Sequence, residues 1–116
     1  MRRVVVTGIG MINALGLNRE DSFKAIVDGR CGVKTISSFD VSEFPIKIAA
    51  EIANFDPTSV MDAKEVKKAD RFIQLGIKAA KEAMQDSGLL NGEGKLLDNV
   101  NAERFGMSSA SGIGGL

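Results

Sequence analysis

The chain lacks histidine, tryptophan and tyrosine, and Cys31 is the only cysteine among its 116 residues. Without histidine and with one thiol, it cannot supply a Cys/His zinc site or a nucleophile activated by histidine. A single cysteine also excludes a disulfide within the chain, which is compatible with a reducing compartment. We therefore expect a cytoplasmic protein whose residues in this chain include no catalytic group and no metal site.

Two further classes of partner are poorly supported by the composition. Fifteen basic residues balance fifteen acidic ones, and six phenylalanines are the only aromatic residues. Balanced charge and few aromatic side chains argue against nucleic-acid binding, which uses basic surfaces and stacking platforms. No apolar run reaches the roughly 20 residues of a membrane-spanning helix. We expect neither nucleic acid nor a membrane as a partner.

The first residues carry the strongest local signal. Val4 to Val6 is a β-branched run typical of a buried strand, and Gly8 and Gly10 then break it. A dinucleotide-binding loop requires a third glycine three residues after Gly10, followed directly by a helix. Asn13 occupies that position, and the helical pattern begins only at Asn18. A dinucleotide-binding domain is therefore the disfavoured alternative.

Two helical regions are predicted. Asn18 is a favourable N-cap for a short amphipathic helix over residues 19–28, which Gly29 ends. A longer helical pattern runs over residues 62–87, either as one helix or as two helices with a break near Asp70.

The longer pattern has a capping signal and a glycine on its apolar face. Asp62 and Glu65 have the spacing of a capping box. Glycine in a helix costs about 1 kcal/mol relative to alanine, so we expect Gly76 to be retained for close packing. One wide apolar face is predicted to contain Val66, Ala69, Ile73, Gly76, Ile77, Ala80 and Met84.

The remaining segments predict an α/β fold. Residues 33–62 are irregular, with a possible short strand over residues 47–52, and Arg104 to Ser108 predicts a second buried strand. Strand, helix, irregular segment, long helix and strand form a βαβ-type plan with a mainly parallel sheet. The sequence ends in a glycine-rich turn over residues 111–115 and not in a polar tail, which indicates the front part of a longer protein.

Three pieces of sequence, in order, resemble one known family. They are Val-Val-Val-Thr-Gly-Ile-Gly over residues 4–10, the helical stretches at residues 70–77 and 83–89, and Ser-Gly-Ile-Gly-Gly over residues 111–115. Together they resemble the β-ketoacyl-[acyl-carrier-protein] synthases of the thiolase superfamily. Ile113, which lies between glycines in the last of these pieces, makes the chain similar to the type II elongating enzymes. The resemblance implies that residues 1–116 are the incomplete N-terminal part of a layered αβαβα fold that forms a homodimer.

The same resemblance implies an acyltransferase that performs a decarboxylative Claisen condensation in fatty acid biosynthesis, without a dissociable cofactor. In the family, a cysteine takes the acyl chain and two histidines assist malonyl decarboxylation. The resemblance implies that these groups lie beyond residue 116. We expect Cys31 to be an ordinary loop residue, since it follows a helix and matches no family nucleophile motif. A non-catalytic chain-length factor of the same fold is an alternative.

Basic residues gather at the start of the longer helical pattern, namely Lys64, Lys67, Lys68 and Arg71. At helical spacing they share one side, and three lie in the first turns, where the helix dipole disfavours cations. This placement suggests an acidic partner. The alternative is a solvated face, which the pattern alone favours because Asp62, Glu65 and Asp70 offset most of the charge. The resemblance reverses that preference: it implies that Lys64, Lys67 and Lys68 dock the acidic acyl carrier protein, whereas Arg71 rests on spacing alone.

Ile113 is the remaining candidate site residue. The resemblance implies that it binds substrate, by lining the acyl-chain pocket at the dimer interface and limiting the chain length that enters. The alternative is a residue that packs under a glycine-rich turn.

Overall fold

The computed structural model describes residues 1–115, which divide into two compact units. One unit contains Met11–Asp56, and the other contains Met1–Gly10 with the chain from Pro57 onward. Among the described residues, none of the helices combines the length and the apolarity that crossing a bilayer requires.

The first helix, α1, spans Arg19–Val27 in the Met11–Asp56 unit. Its N-cap is Asn18, whose Oδ1 accepts a hydrogen bond from the Asp21 N–H at 2.8 Å, and this satisfies one of the free donors of the first turn. The helix ends before Gly29, which has a φ of 68°. The predicted helix and its cap are confirmed, and the helix ends one residue earlier than predicted.

The same unit contains a short antiparallel sheet. Strand β1 (Lys34–Thr35) pairs with β2 (Ile48–Ala49), with Lys34 opposite Ala49. The predicted strand over residues 47–52 is confirmed in its central part, whereas β1 lies in a segment that we expected to be irregular.

A carboxylate ties together the two segments that follow these strands. Glu51 accepts hydrogen bonds from the hydroxyl and N–H groups of both Ser37 and Ser38, including the Ser37 N–H at 2.8 Å. These donors favour the charged carboxylate. Led by the Ser38 hydroxyl, they lower the pKa of Glu51 to about 2.

The longer helical pattern forms two helices, α2 (Ala63–Val66) and α3 (Arg71–Asp86), so the break near Asp70 is confirmed. The capping box is wrong. Asp62 is the N-cap of α2, but its side chain makes no capping hydrogen bond. The Glu65 N–H instead donates to the main-chain oxygen of Asp62 at 2.9 Å.

The N-terminal segment crosses α3 at very close range. A Cβ atom added at Gly8 or Gly10 would overlap main-chain atoms of α3, the Ala83 oxygen at Gly8 and the Ala79 oxygen at Gly10. The small side chains of α3 therefore do permit a close approach, as predicted. However, a Cβ added at Gly76 would have no atom of residues 1–115 within 4 Å. None of these residues therefore packs closely against Gly76, in contrast to the expectation.

Both buried strands of the predicted βαβ plan are wrong for residues 1–115. Val4–Val6 is unpaired and exposed, with Val4 at 96% exposure. The chain from residue 104 to 108 contains the end of a 3₁₀ turn, Ala102–Arg104, followed by unpaired exposed residues. A strand needs a neighbour to satisfy its main-chain groups, and no described segment pairs with either one. The sheet that is described is antiparallel and has two strands.

Little apolar surface is buried within each unit. Among residues 1–115, the buried apolar residues are Ala25 and Phe55 in the Met11–Asp56 unit and Val60 in the other unit. The buried polar residues of the same range are Ser22 and Gln74.

Candidate functional site

Three exposed lysines lie at the end of α2, where they form the lysine surface (Lys64, Lys67 and Lys68). Lys64 is in the helix, Lys67 is its C-cap, and Lys68 follows. The N–H groups of Lys68 and Ala69 both donate to the Glu65 oxygen at 2.9 Å. The helical turn thus continues past α2, and the three lysines keep approximately helical spacing.

The break between the helices overturns the argument from the helix dipole. Lys67 and Lys68 lie at the C-terminal end of α2, not in the first turns of one long helix. Cations are favoured at a helix C-terminus. Their placement therefore requires no acidic partner, and the electrostatic support for such a partner rests on the grouping and exposure of the lysines.

Arg71 is separate from the lysine surface, because it is the first residue of α3. Its Nη1 donates to Oε1 of Gln74 at 3.5 Å.

Gln74 is a residue that the sequence analysis missed. It is the only buried residue of α3, at 8% exposure. Its Nε2 donates to the main-chain oxygens of Val66 at 3.2 Å and Ala69 at 2.9 Å. The available signal was a glutamine inside the apolar stretch Phe-Ile-Gln-Leu, since a polar residue in such a stretch needs hydrogen-bond partners when it is buried.

Ile113 lies in the glycine turn (residues 111–115) with its side chain 77% exposed. The Gly114 N–H donates to the Ser111 hydroxyl at 3.0 Å, which closes the turn. Gly114 has a φ of 83°, a conformation that favours glycine. The alternative in which Ile113 packs under this turn is wrong within residues 1–115, because the side chain points into open surroundings.

The glycine turn lies against the first turn of α3. A Cβ added at Gly114 would lie 3.9 Å from the Phe72 ring, and one added at Gly115 would overlap the Asp70 carboxylate. Asp70 is both the N-cap of α3 and the last residue of the α2–α3 linker (residues 67–70), which carries Lys67 and Lys68. The structure therefore brings the two predicted sites, Ile113 and the lysine surface, to the same end of α3.

Cys31 is an exposed free thiol in the loop after α1. Because the sequence contains no histidine, no imidazole base from this chain can activate it. Within residues 1–115, no three Cys, Asp or Glu side chains come together as a metal site would require.

The geometry also disfavours the dinucleotide alternative. Asn13 Oδ1 accepts hydrogen bonds from the N–H groups of Leu15 at 2.8 Å and Gly16 at 3.2 Å. The Ile9 N–H donates to Asp86 at 3.0 Å. A phosphate-binding loop needs its main-chain N–H groups available for the ligand, and here three of them have protein partners.

A concave region of about 300 Å³ lies in the Met11–Asp56 unit, bordered by Asn13, Arg30, Lys34 and Glu51 among others. A more apolar groove lies along α3, lined by Ile77, Ala80 and Met84. Neither contains Ile113 or a member of the lysine surface.

Comparisons with known proteins agree with the resemblance seen in the sequence. The family described as "Beta-ketoacyl synthase, N-terminal domain" matches residues 1–115. The chain is 44% identical over 115 residues to the 3-oxoacyl-[acyl-carrier-protein] synthase 2 of Coxiella burnetii, which covers 99% of this chain and 26% of that protein. The proteins of the same name from Vibrio harveyi and Synechocystis sp. are 43% and 35% identical over the same shares. The chain spans about a quarter of the length of these curated relatives. Because the family match extends over residues 1–115, the chain belongs to the β-ketoacyl synthase family, in its N-terminal domain.

Proposed function

We propose that the chain is the N-terminal part of a 3-oxoacyl-[acyl-carrier-protein] synthase II, a cytoplasmic homodimer with a layered thiolase-like fold. The observation that carries this proposal is the 44% identity, over 99% of the chain, to a relative named 3-oxoacyl-[acyl-carrier-protein] synthase 2. The family match over residues 1–115 supports it independently.

The proposed reaction lengthens an acyl chain by two carbons. A cysteine thiolate attacks the acyl carbonyl, the carbon–sulfur bond to the carrier protein breaks, and the carrier leaves with its thiol while the acyl group stays as an enzyme thioester. Malonyl-carrier protein then loses CO₂, and the resulting enolate carbon attacks the acyl carbonyl. The carbon–sulfur bond to the enzyme breaks, which releases the 3-oxoacyl-carrier protein and restores the thiolate. Hydrogen-bond donors stabilise the negative charge that develops on oxygen.

The contribution of this chain to the reaction is recognition. We propose that the lysine surface docks an acidic helix of the acyl carrier protein. Three exposed cations within five residues of sequence support this role, since clustered charge of one sign increases the rate of encounter with a partner of opposite charge.

We propose that Ile113 lines the acyl-chain pocket. Its side chain is exposed on a short turn and has no apolar environment among residues 1–115. A long acyl chain or a neighbouring subunit would provide that environment, because burying an isoleucine stabilises by about 1.5–3 kcal/mol.

The proposal is tested by incubating the purified full-length protein with malonyl- and acyl-carrier protein and measuring 3-oxoacyl product by mass spectrometry. Product should form, and Cys31→Ser should leave the rate nearly unchanged because that thiol is exposed and unactivated. Absence of product from a folded dimer would favour the chain-length-factor alternative. A large loss of rate in the Cys31→Ser variant would place the nucleophile within this chain.

A further inference from the structure

We propose that Gln74 is a positioning residue for carrier-protein recognition, because it holds the main chain that carries the lysine surface. This inference rests on the proposed function of Lys64, Lys67 and Lys68. It assigns a role to a buried side chain that touches neither substrate nor carrier protein.

The first step is the weakness of α2 itself. The helix has four residues, and the Asp62 side chain does not cap it. Short helices are unstable without tertiary support, because nucleation fixes several residues for few hydrogen bonds. A helix also leaves its last four carbonyl groups without intrahelical partners. The end of α2 and the α2–α3 linker therefore depend on hydrogen bonds from elsewhere.

Gln74 supplies those hydrogen bonds from the first turn of α3. Its Nε2 donates to the Val66 oxygen, at the end of α2, and to the Ala69 oxygen, in the linker. These two residues lie on either side of Lys67 and Lys68 in the sequence. The amide thus fixes the main chain immediately before and after two of the three lysines.

The other end of the amide faces Arg71. Oε1 of Gln74 lies 3.5 Å from the Nη1 of Arg71, while Nε2 donates to the two carbonyl oxygens. The amide is buried, and an unpaired buried polar group is unfavourable. A side chain that cannot donate would leave the Val66 and Ala69 oxygens without these partners and would release the linker.

The test compares Gln74→Met with Gln85→Met in the full-length protein. Gln74→Met keeps a similar volume and removes both donors, whereas Gln85 is exposed on the same helix and serves as the matched control. Gln74→Met should raise the KM for acyl-carrier protein about threefold or more, as for coupled residues in one network. Its kcat/KM for small acyl-pantetheine substrates, and all parameters of Gln85→Met, should change less than twofold.

Amide hydrogen exchange separates this inference from the docking proposal. In Gln74→Met, exchange at residues 67–70 should accelerate, while α1 exchanges as before. Equal losses with carrier-protein and small substrates would overturn the positioning role. Unchanged exchange would do so as well, even if reversal of the lysines weakens carrier binding. A third outcome is that reversal of the three lysines has no effect on KM, and that Gln74→Met exchanges faster at residues 67–70 with an unchanged KM. Gln74 then holds the linker, but the docking proposal fails and the role of Gln74 in recognition fails with it.

A second variant keeps the test valid if Gln74→Met does not fold. Gln74→Leu is smaller than Gln74→Met and also has no group that can donate to the two carbonyl oxygens. It should show the same selective increase in KM and the same faster exchange. A folded Gln74→Leu protein with wild-type values for both would overturn the inference.

Discussion

The Ile9 N–H donates to the Asp86 carboxylate at 3.0 Å and joins residues that are 77 positions apart. Ile9 lies between the two glycines that contact α3, and Asp86 is the last residue of that helix. The hydrogen bond and the two close contacts fix one short segment along the C-terminal half of α3. The Gly-x-Gly motif of this chain therefore packs against a helix at close range.

Replacing Gly10 by alanine should destabilise the protein. The added Cβ would overlap the main-chain oxygen of Ala79, and a main-chain group cannot move aside by changing rotamer. Overpacking of this kind typically costs about 1–3 kcal/mol. Urea unfolding of the full-length protein should show that loss. Gly92→Ala is the control, because an added Cβ there has no atom within 4 Å, and it should remain close to wild type.

Replacing Gly76 by alanine should have the opposite effect. Gly76 is in the interior of α3, and the space around it is open within residues 1–115. Alanine is favoured over glycine in a helix by about 1 kcal/mol, so the free energy of unfolding should rise by that amount. A decrease in the full-length protein would reveal a neighbour that packs against Gly76 and would restore the packing role expected from the sequence.

Local signals in the sequence predicted local structure well. The α1 helix, its Asn18 cap and its end before Gly29 follow from residues that are adjacent in sequence. The break at Asp70 remained one of two open alternatives, because the apolar periodicity continues across it. The family resemblance, which combines signals from the whole chain, is confirmed.

Features that depend on distant partners were predicted poorly. Val4–Val6 has the composition of a strand, but composition does not reveal whether a neighbouring strand exists in the same 115 residues. The β1–β2 pairing was missed because two-residue strands carry almost no periodic signal. The role of Gln74 depends on a turn of main chain whose position only the structure reveals. The assignments of Ile113 to substrate binding and of the lysine surface to carrier-protein docking stay predictions.

Reversing the charges of Lys64, Lys67 and Lys68 to glutamate should raise the KM for acyl-carrier protein substrates. It should also flatten the dependence of KM on salt, because exposed charges act mainly on encounter and are screened over about 8 Å at physiological ionic strength. Condensation of small acyl-pantetheine analogues should barely change. Steady-state kinetics at several salt concentrations measure all three effects.

The control for the lysine reversal is an equal change of charge elsewhere on the surface. Lys24, Arg30 and Lys34 are exposed residues of the Met11–Asp56 unit. Their reversal to glutamate should affect KM much less than reversal of the lysine surface. An equal increase in KM for the two triple variants would mean that KM responds to net charge and not to a docking surface. An unchanged KM in both variants would mean that the three lysines form a solvated face without a partner role.

Ile113→Phe should narrow the range of acyl chains that are accepted. If Ile113 lines the acyl-chain pocket, the larger ring should lower kcat/KM for long-chain substrates about tenfold, since overpacking by a few methylene equivalents costs 1–3 kcal/mol. Short-chain substrates should be affected little. Met107→Phe, at an exposed position outside the glycine turn, should leave the chain-length profile unchanged. A uniform loss across all chain lengths would argue against a role in the pocket.

Residues 1–116 expressed alone should be poorly folded or aggregated. Large apolar side chains are exposed in the described structure, including Val4 at 96% and Met107 at 83% exposure, and exposed apolar surface favours association. The isolated chain should bind a hydrophobic dye and lack a cooperative melt. A monomer with a sharp melting transition and no dye binding would contradict this expectation.

The hydrogen bond between Ile9 and Asp86 also has a consequence for synthesis on the ribosome. Ribosomes add roughly 5–20 residues per second, so about 4–15 s pass between the synthesis of Ile9 and that of its partner. During this interval the segment at residues 8–10, which follows the valine run, has no helix to pack against. Extended, uncharged β-branched segments pair readily with other unpaired strands. The valine run is therefore attached to the least restrained main chain before α3 is complete, and Arg2 and Arg3, which directly precede the valines, place positive charge where such pairing would begin.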